Sequence, residues 1–131
     1  MEPVKQVVLH QNLWIDERGW GVEPFKAVRH LHKFQGNLHI VSLKPGAVRG
    51  NHYHTHSTEW ILVCGGSARI LWKTKPEGSV RQSAVNDSEP ALFEIAPEIE
   101  HAVVNDCEHD VYLFVFYDAV ESETVYCSSL I

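Results

Sequence analysis

The chain has 131 residues, 44% of them apolar and 21% charged, with four Trp, five Phe and four Tyr. That is enough apolar material for the core of one ordinary domain and too much for a disordered chain. A formal charge of −6 without any basic block, and apolar runs far short of the roughly 20 residues that cross a bilayer, exclude nucleic acid and the membrane as partners.

Taken in chain order, Met1-Glu2-Pro3-Val4-Lys5 lacks the basic-then-apolar layout of a signal peptide, so the cytoplasm is the expected location. Short β-branched and aromatic runs predict strands over Val4–Leu9, Trp20–Val28, Asn37–Leu43, Glu59–Cys64, Ala68–Lys73, Ala91–Ile95, His101–Val104 and Val111–Tyr117. Pro and Gly punctuate the intervals between them. Lys26–Phe34 is an alternative short helix, and the tail Glu121–Ile131 reads as an added strand or a dimer arm. No stretch carries an apolar helical stripe over three turns. Many short strands with frequent turn signals predict an all-β sandwich or barrel, as a single domain over residues 1–131. The three cysteines, Cys64, Cys107 and Cys127, are odd in number and form no C-x-x-C, so free thiols are expected. Cys64 and Cys107 read as buried small apolar groups.

Histidine is the unusual residue. Nine are present, three within 51–56 and two within 101–109. On a strand, His52, His54 and His56 share parity and point to one face. A turn near Ser57-Thr58 restarts the alternation, so that Glu59 can enter the next strand facing inward with Ile61 and Val63. A second hairpin, entered through Pro97, brings in His101. Three imidazoles and one carboxylate suit a divalent ion such as Zn, Mn, Fe, Ni or Co, and would leave positions open for substrate or water. The competing readings are solvated or core histidines, or acid/base histidines that hold no metal. His56 reads as a rim residue rather than a ligand. His109, between Glu108 and Asp110, reads as a solvated turn, and His10, His30, His32 and His39 as surface or packing residues.

The segment Gly46, five residues, His52-Tyr53-His54, four residues, Glu59, six residues, Gly66 resembles the first motif of the cupin family. His101-Ala102-Val103-Val104-Asn105 resembles the second, with Ala96 and Glu98 where that motif has Pro and Gly. The motifs occupy 46–66 and 96–105. The resemblance implies a cupin jelly-roll β-barrel with a metal on His52, His54, Glu59 and His101.

Asp16-Glu17-Arg18-Gly19-Trp20-Gly21-Val22-Glu23-Pro24-Phe25 and Val48-Arg49-Gly50-Asn51-His52-Tyr53 are similar to segments of the dTDP-4-dehydrorhamnose 3,5-epimerases and related nucleotide-sugar ketoisomerases. Lys44-Pro45-Gly46 through His56 is closer still to the zinc-binding cupin domain that ends bifunctional capsule-sugar epimerase/reductases. This implies epimerisation or isomerisation of a 4-keto-6-deoxy nucleotide sugar in surface-polysaccharide synthesis. The reductase half is absent here, so only isomerisation chemistry is expected. By the same resemblance Arg18 and Arg49 would hold the diphosphate, Glu23 and Phe25 would line that groove, and zinc would be the metal. His52 sits where the epimerases keep their base. If it is instead a ligand, His56 or a tyrosine must serve, with Tyr117 or Tyr112 as the acid. A homodimer is expected, as cupins pair through their sheets. Two other classes stay open: a metal-dependent dioxygenase of a small organic substrate, and a non-catalytic sugar- or metabolite-binding cupin.

Overall fold

The computed structural model describes residues 2–28, 37–73, 78–118, 123–127 and 130. These form strands β1 (Val4–Val7), β2 (Leu13–Asp16), β3 (Gly19–Val22), β4 (Asn37–Leu43), β5 (Val48–His54), β6 (Glu59–Cys64), β7 (Ala68–Lys73), β8 (Val80–Val85), β9 (Ala91–Ile95), β10 (Glu100–Asn105), β11 (Val111–Tyr117) and β12 (Thr124–Tyr126). One short helix, α1 (Pro24–Ala27), lies between β3 and β4. No helix among the described residues is long and apolar enough to cross a membrane.

Ten strands build two antiparallel five-stranded sheets, in the orders β1-β9-β6-β11-β4 and β12-β5-β10-β7-β8, with β2 and β3 as a separate hairpin. The expected all-β jelly roll is the architecture observed. Strand alternation explains why the sheets face each other. On β11, Val111, Leu113 and Val115 are buried while Tyr112 is exposed, and they meet Ile61 and Val63 of β6, Ile70 and Trp72 of β7 and Val103 of β10 in the central core. Each such side chain taken fully out of water contributes about 1.5–3 kcal/mol before the entropy cost of ordering it.

Strand β6 is buried on both faces, which is why it reads as an unbroken apolar run. Glu59, Ile61 and Val63 point to the interior. Trp60 and Leu62 point outward into a second core with Leu9, Val28, Leu92 and Phe116, against which Leu13, Val22 and Phe25 pack. The β2–β3 hairpin and α1 therefore cover the outer side of the first sheet. Trp14 lies so close over Gly21 that a Cβ there would collide with its indole.

Several boundaries differ from the sequence expectation. The strand expected over Trp20–Val28 stops at Val22, because Pro24 fixes its own φ and lacks an N–H, which suits the first turn of a helix. Of the alternative helix over Lys26–Phe34, Lys26 and Ala27 lie in α1 and residues 29–34 lie outside the described residues. Strand β8 was not expected: Val80–Val85 is mostly exposed at a sheet edge and carries no apolar alternation. The tail supplies an added strand, β12, which pairs with β5.

Candidate metal centre

Two strands of one sheet and one of the other deliver the histidines and the carboxylate. His52 and His54 stand on β5, His101 on its neighbour β10, and Glu59 at the start of β6 across the barrel. One ligand atom from each lies within 4.8 Å of the other three. The grouping expected from parity is therefore met in space, and these four residues could hold a metal ion.

The pairing of β5 with β10 contains a bulge. Val103 is opposite Arg49 and Ala102 is opposite Gly50, but His101 is opposite His52, which leaves Asn51 extra. Asn51 and Gly50 both take positive φ, 54° and 105°. A Cβ on Gly50 would lie 2.7 Å from the His101 carbonyl oxygen, so only glycine allows the strands to close here. The bulge also resets alternation. Arg49 and His52, three residues apart, both reach the same cavity, where an unbroken strand would send one of them outside.

His101 is fully enclosed, and its Nδ1–H donates to the Ile99 carbonyl at 2.9 Å, which leaves Nε2 directed at the cluster. Nδ1 of His54 meets the Thr124 hydroxyl at 3.0 Å, so β12 orients this ring from 70 residues away. Such contacts fix the ring tautomer in metal sites. His101 Nε2 stands at ion-pair distance from Glu59 Oε1, and His54 Nε2 is 3.5 Å from the same oxygen. Yet none of these three buried atoms has an aligned hydrogen-bond partner. Three inward-pointing atoms that converge without satisfying one another are the arrangement a shared cation would complete.

His52 is different. It is half-buried where the other three are buried, and its ring lies 4.8 Å from His54 and 5.0 Å from His101. Burial, together with its histidine neighbours, holds its pKa down to about 4, so the ring is neutral at neutral pH. At Glu59, burial favours the neutral acid. The charge of His101, with that of His54, outweighs this and holds the carboxyl far below its ordinary range. At His101, burial opposes the charged form, but Glu59 and the Ile99 carbonyl overcome it and raise the pKa.

The cluster opens into a cavity of about 340 Å³ between the sheets. His39, Leu113, Val115 and Tyr117 line it from the first sheet, and Val48, Arg49, His52 and Tyr126 from the second. Tyr117 packs edge-on to His54 at 4.9 Å, and burial with the Glu59 charge keeps its phenol far above the usual range. Arg49 is at the exposed rim, its Nε–H donating to the Ser42 carbonyl at 2.8 Å.

Other expected site residues lie elsewhere. Tyr112 points to the outer face of β11 and is 44% exposed. His56 is exposed beyond the end of β5 and does not line the cavity. Arg18 is at the hairpin tip, paired with Asp16 at 2.7 Å. Glu23 pairs with Lys26, and Phe25 packs edge-on to Phe116 at 5.2 Å. Both border a groove on the outer side of the first sheet, so within one chain they do not share a groove with Arg49. The packing of the hairpin against the second core decides this, and no local pattern reports it. His39, read as a surface or packing residue, instead lines the cavity, as do Tyr126 and the backbone at Gly50. His30 and His32 lie outside the described residues, and His10 is exposed. The cysteines are free, as expected, but Cys107 is only half-buried and its amide N–H donates to Asn105 Oδ1. His109 is exposed, with a ring nitrogen 2.7 Å from the Gly65 carbonyl.

Where the second motif lacks its glycine, Glu98 takes φ 68° and its N–H donates to the His54 carbonyl at 2.7 Å. The turn thus forms at a cost, because a side chain in the left-handed region loses roughly 1–2 kcal/mol. Glu98→Gly relieves this strain but gains unfolded-chain entropy. It should stabilise the protein by about 0.5–1 kcal/mol, read as a higher thermal midpoint with metal content unchanged.

Comparison with known proteins agrees with this architecture. Residues 14–124 match the family described as polysaccharide biosynthesis C-terminal domain. A UDP-2-acetamido-2,6-beta-L-arabino-hexul-4-ose reductase from Pseudomonas aeruginosa is 27% identical over 117 residues, 86% of this chain. The chain spans 30% of the length of that curated relative. Among solved structures, a dTDP sugar isomerase from Desulfovibrio desulfuricans superposes with a TM-score of 0.80 at 13% identity, covering 97% of this chain and 85% of its own. NovW, a 4-keto-6-deoxy sugar epimerase from Streptomyces spheroides, superposes with a TM-score of 0.72 at 12% identity, covering 92% of this chain and 65% of its own. At these identities the structures share the fold.

Proposed function

The chain belongs to the polysaccharide biosynthesis C-terminal domain family, and from that premise we propose that it epimerises or isomerises a 4-keto-6-deoxy nucleotide sugar with the help of a divalent metal. The observation that carries this reading is the junction of the His/Glu cluster with an open cavity that also presents His52 and Arg49. The names of the relatives, a reductase of a hexul-4-ose, a sugar isomerase and a 4-keto-6-deoxy sugar epimerase, supply the substrate class.

His54, Glu59 and His101 are the proposed fixed ligands, because their converging atoms are buried and lack aligned partners. Two imidazoles and a carboxylate suit Zn first, with Mn, Fe, Ni or Co also compatible. When bound, the ion would draw electron density from the keto oxygen and acidify the neighbouring C–H bonds. His52 is proposed as the base. It faces the cavity, it is neutral at neutral pH, and it is near enough to the cluster to become a fourth ligand when substrate is away. Arg49 is the one expected diphosphate-binding residue that lines the cavity, and its planar guanidinium suits paired phosphate oxygens. Tyr117 is proposed as a neutral hydrogen-bond donor to the substrate, since its phenol is held so high. The proposal further takes residues 1–131 as one cupin domain acting in the cytoplasm as a homodimer. Exposed Leu38, Ile40 and Trp20 on the outer side of the first sheet are consistent with such pairing.

The test is incubation of the metal-loaded protein with UDP- and dTDP-linked 4-keto-6-deoxy sugars in D₂O. Deuterium at C3 or C5, with an isomeric product, is the expected result. Absence of exchange on every sugar would sink the proposal. Oxygen uptake by iron-loaded protein would point to a dioxygenase, and a thermal shift without turnover to a binding module.

A further inference from the structure

The cavity has two walls, and the proposed base accounts for only one. His52 enters from β5 in the second sheet. From the other wall, β4, the edge strand of the first sheet, carries His39, paired in register with Val115. His39 lines the same cavity and is half-buried, so its ring is reachable and not sealed in the core. It stacks at 5.5 Å and 31° on Tyr117, which in turn packs on His54, so it is held beside the cluster without belonging to it. Among the described residues, neither of its ring nitrogens is committed to a hydrogen bond.

Building on the sugar-epimerase reading, we propose that His39 returns the proton to the sugar carbon on the ring face opposite His52. Inversion at a carbon beside a ketone needs two groups on two sides. Outside the His/Glu cluster, the other proton carriers on the cavity wall are phenols, Tyr117 and Tyr126, a group that ordinarily holds its proton well above neutrality, whereas an imidazole both gives and accepts a proton near neutrality. The balance is simple. His52 takes the proton, the C–H electron pair becomes the enolate double bond, and the former keto oxygen carries the charge. The His39 imidazolium then gives its N–H proton to the same carbon from the other side. The enolate pair becomes the new C–H bond and the ketone is restored. Water takes the proton from His52 and resupplies His39, so only configuration changes.

His39→Gln and His39→Asn keep size and polarity but cannot deliver a proton. Both should retain wild-type metal content and a thermal midpoint within a few degrees. In D₂O both should still wash deuterium into recovered substrate with its configuration unchanged, while epimer formation falls by about 10²-fold or more. His39→Ala should regain part of its epimerisation in added imidazole. Epimer formation within threefold of wild type in either variant overturns the assignment, as does an equal loss of exchange and epimerisation in a folded, metal-loaded variant. Wild-type protein that neither exchanges nor epimerises overturns the sugar reading itself, a distinguishable failure.

Discussion

His52→Gln is expected to abolish deuterium exchange at the sugar carbon, by about 10²–10⁴-fold, while the protein keeps its metal. The reason lies in the asymmetry of the cluster. His54, Glu59 and His101 are buried, and their converging atoms lack aligned partners. His52 is half-buried, faces the cavity and is kept neutral by a pKa of about 4. A base must reach solvent and substrate, whereas a structural ligand need not. Metal analysis of purified variants reads the division directly. His52→Gln should retain nearly full occupancy, and His101→Gln should lose most of it. Loss of metal from both in equal measure would show that His52 is an obligatory ligand, and would move the base to another group.

Glu59→Gln is expected to weaken metal binding by about 10²-fold or more, because it removes the one anion among the four candidate ligands. It should also change the proton count. In metal-free wild type, the neighbouring carboxylate raises the His101 pKa, so this ring holds a proton more tightly than an ordinary imidazole and must be free of it to bind an ion. Binding should therefore release protons, seen as a difference in calorimetric heat between buffers of unlike ionisation enthalpy. Without the Glu59 charge, burial favours the neutral ring against only the Ile99 carbonyl and the charge of Glu100, so the variant should release fewer.

The same pair sets a pH window for the metal-free fold. Glu59 is depressed, so its contribution is present above its ordinary value of 4.5 and is lost as pH falls toward its lowered pKa. His101 is raised, so its contribution is complete below 6.5 and is lost as pH climbs through its higher folded pKa. Metal-free protein should be most favoured by the pair between about pH 4.5 and 6.5, whereas metal-loaded protein should gain stability as pH rises past that window. Buried ion pairs are seldom better than apolar packing, so folding stability alone gives little reason to keep this one.

Much of the centre was legible in the residues. Period-two alternation placed His52 and His54 on one face, and Glu59 could be counted into the next strand through the short turn at Ser57-Thr58. His101 followed from the second hairpin. The bulge at Asn51 was not legible, because it depends on where β10 meets β5, and with it went the inward turn of Arg49. Thr124, which orients His54, was hidden for the same reason: its strand carries no apolar pattern and gains its place only by pairing with a partner 70 residues away. The D-x-R-G-x-x-x-E-x-F segment is the part whose place depends most on packing. Its residues suggested one groove with Arg49; within one chain, packing of the β2–β3 hairpin and α1 on Trp60, Leu62 and Phe116 puts Glu23 and Phe25 on the outer side of the first sheet, with Arg18 at the hairpin tip.

The sequence by itself determined the strand-rich class, the inward set of side chains on each regular strand, and the four residues that could bind an ion. These are properties of local alternation and ligand chemistry, carried by neighbours along the chain. Tertiary structure alone decided that His39 and His52 line one cavity from different sheets, that Asn51 is extra, and that two rings are oriented by Ile99 and Thr124. Those depend on the register between strands and on the closure of one sheet over another. They are fixed by the summed packing of the whole barrel, which no short window of residues encodes.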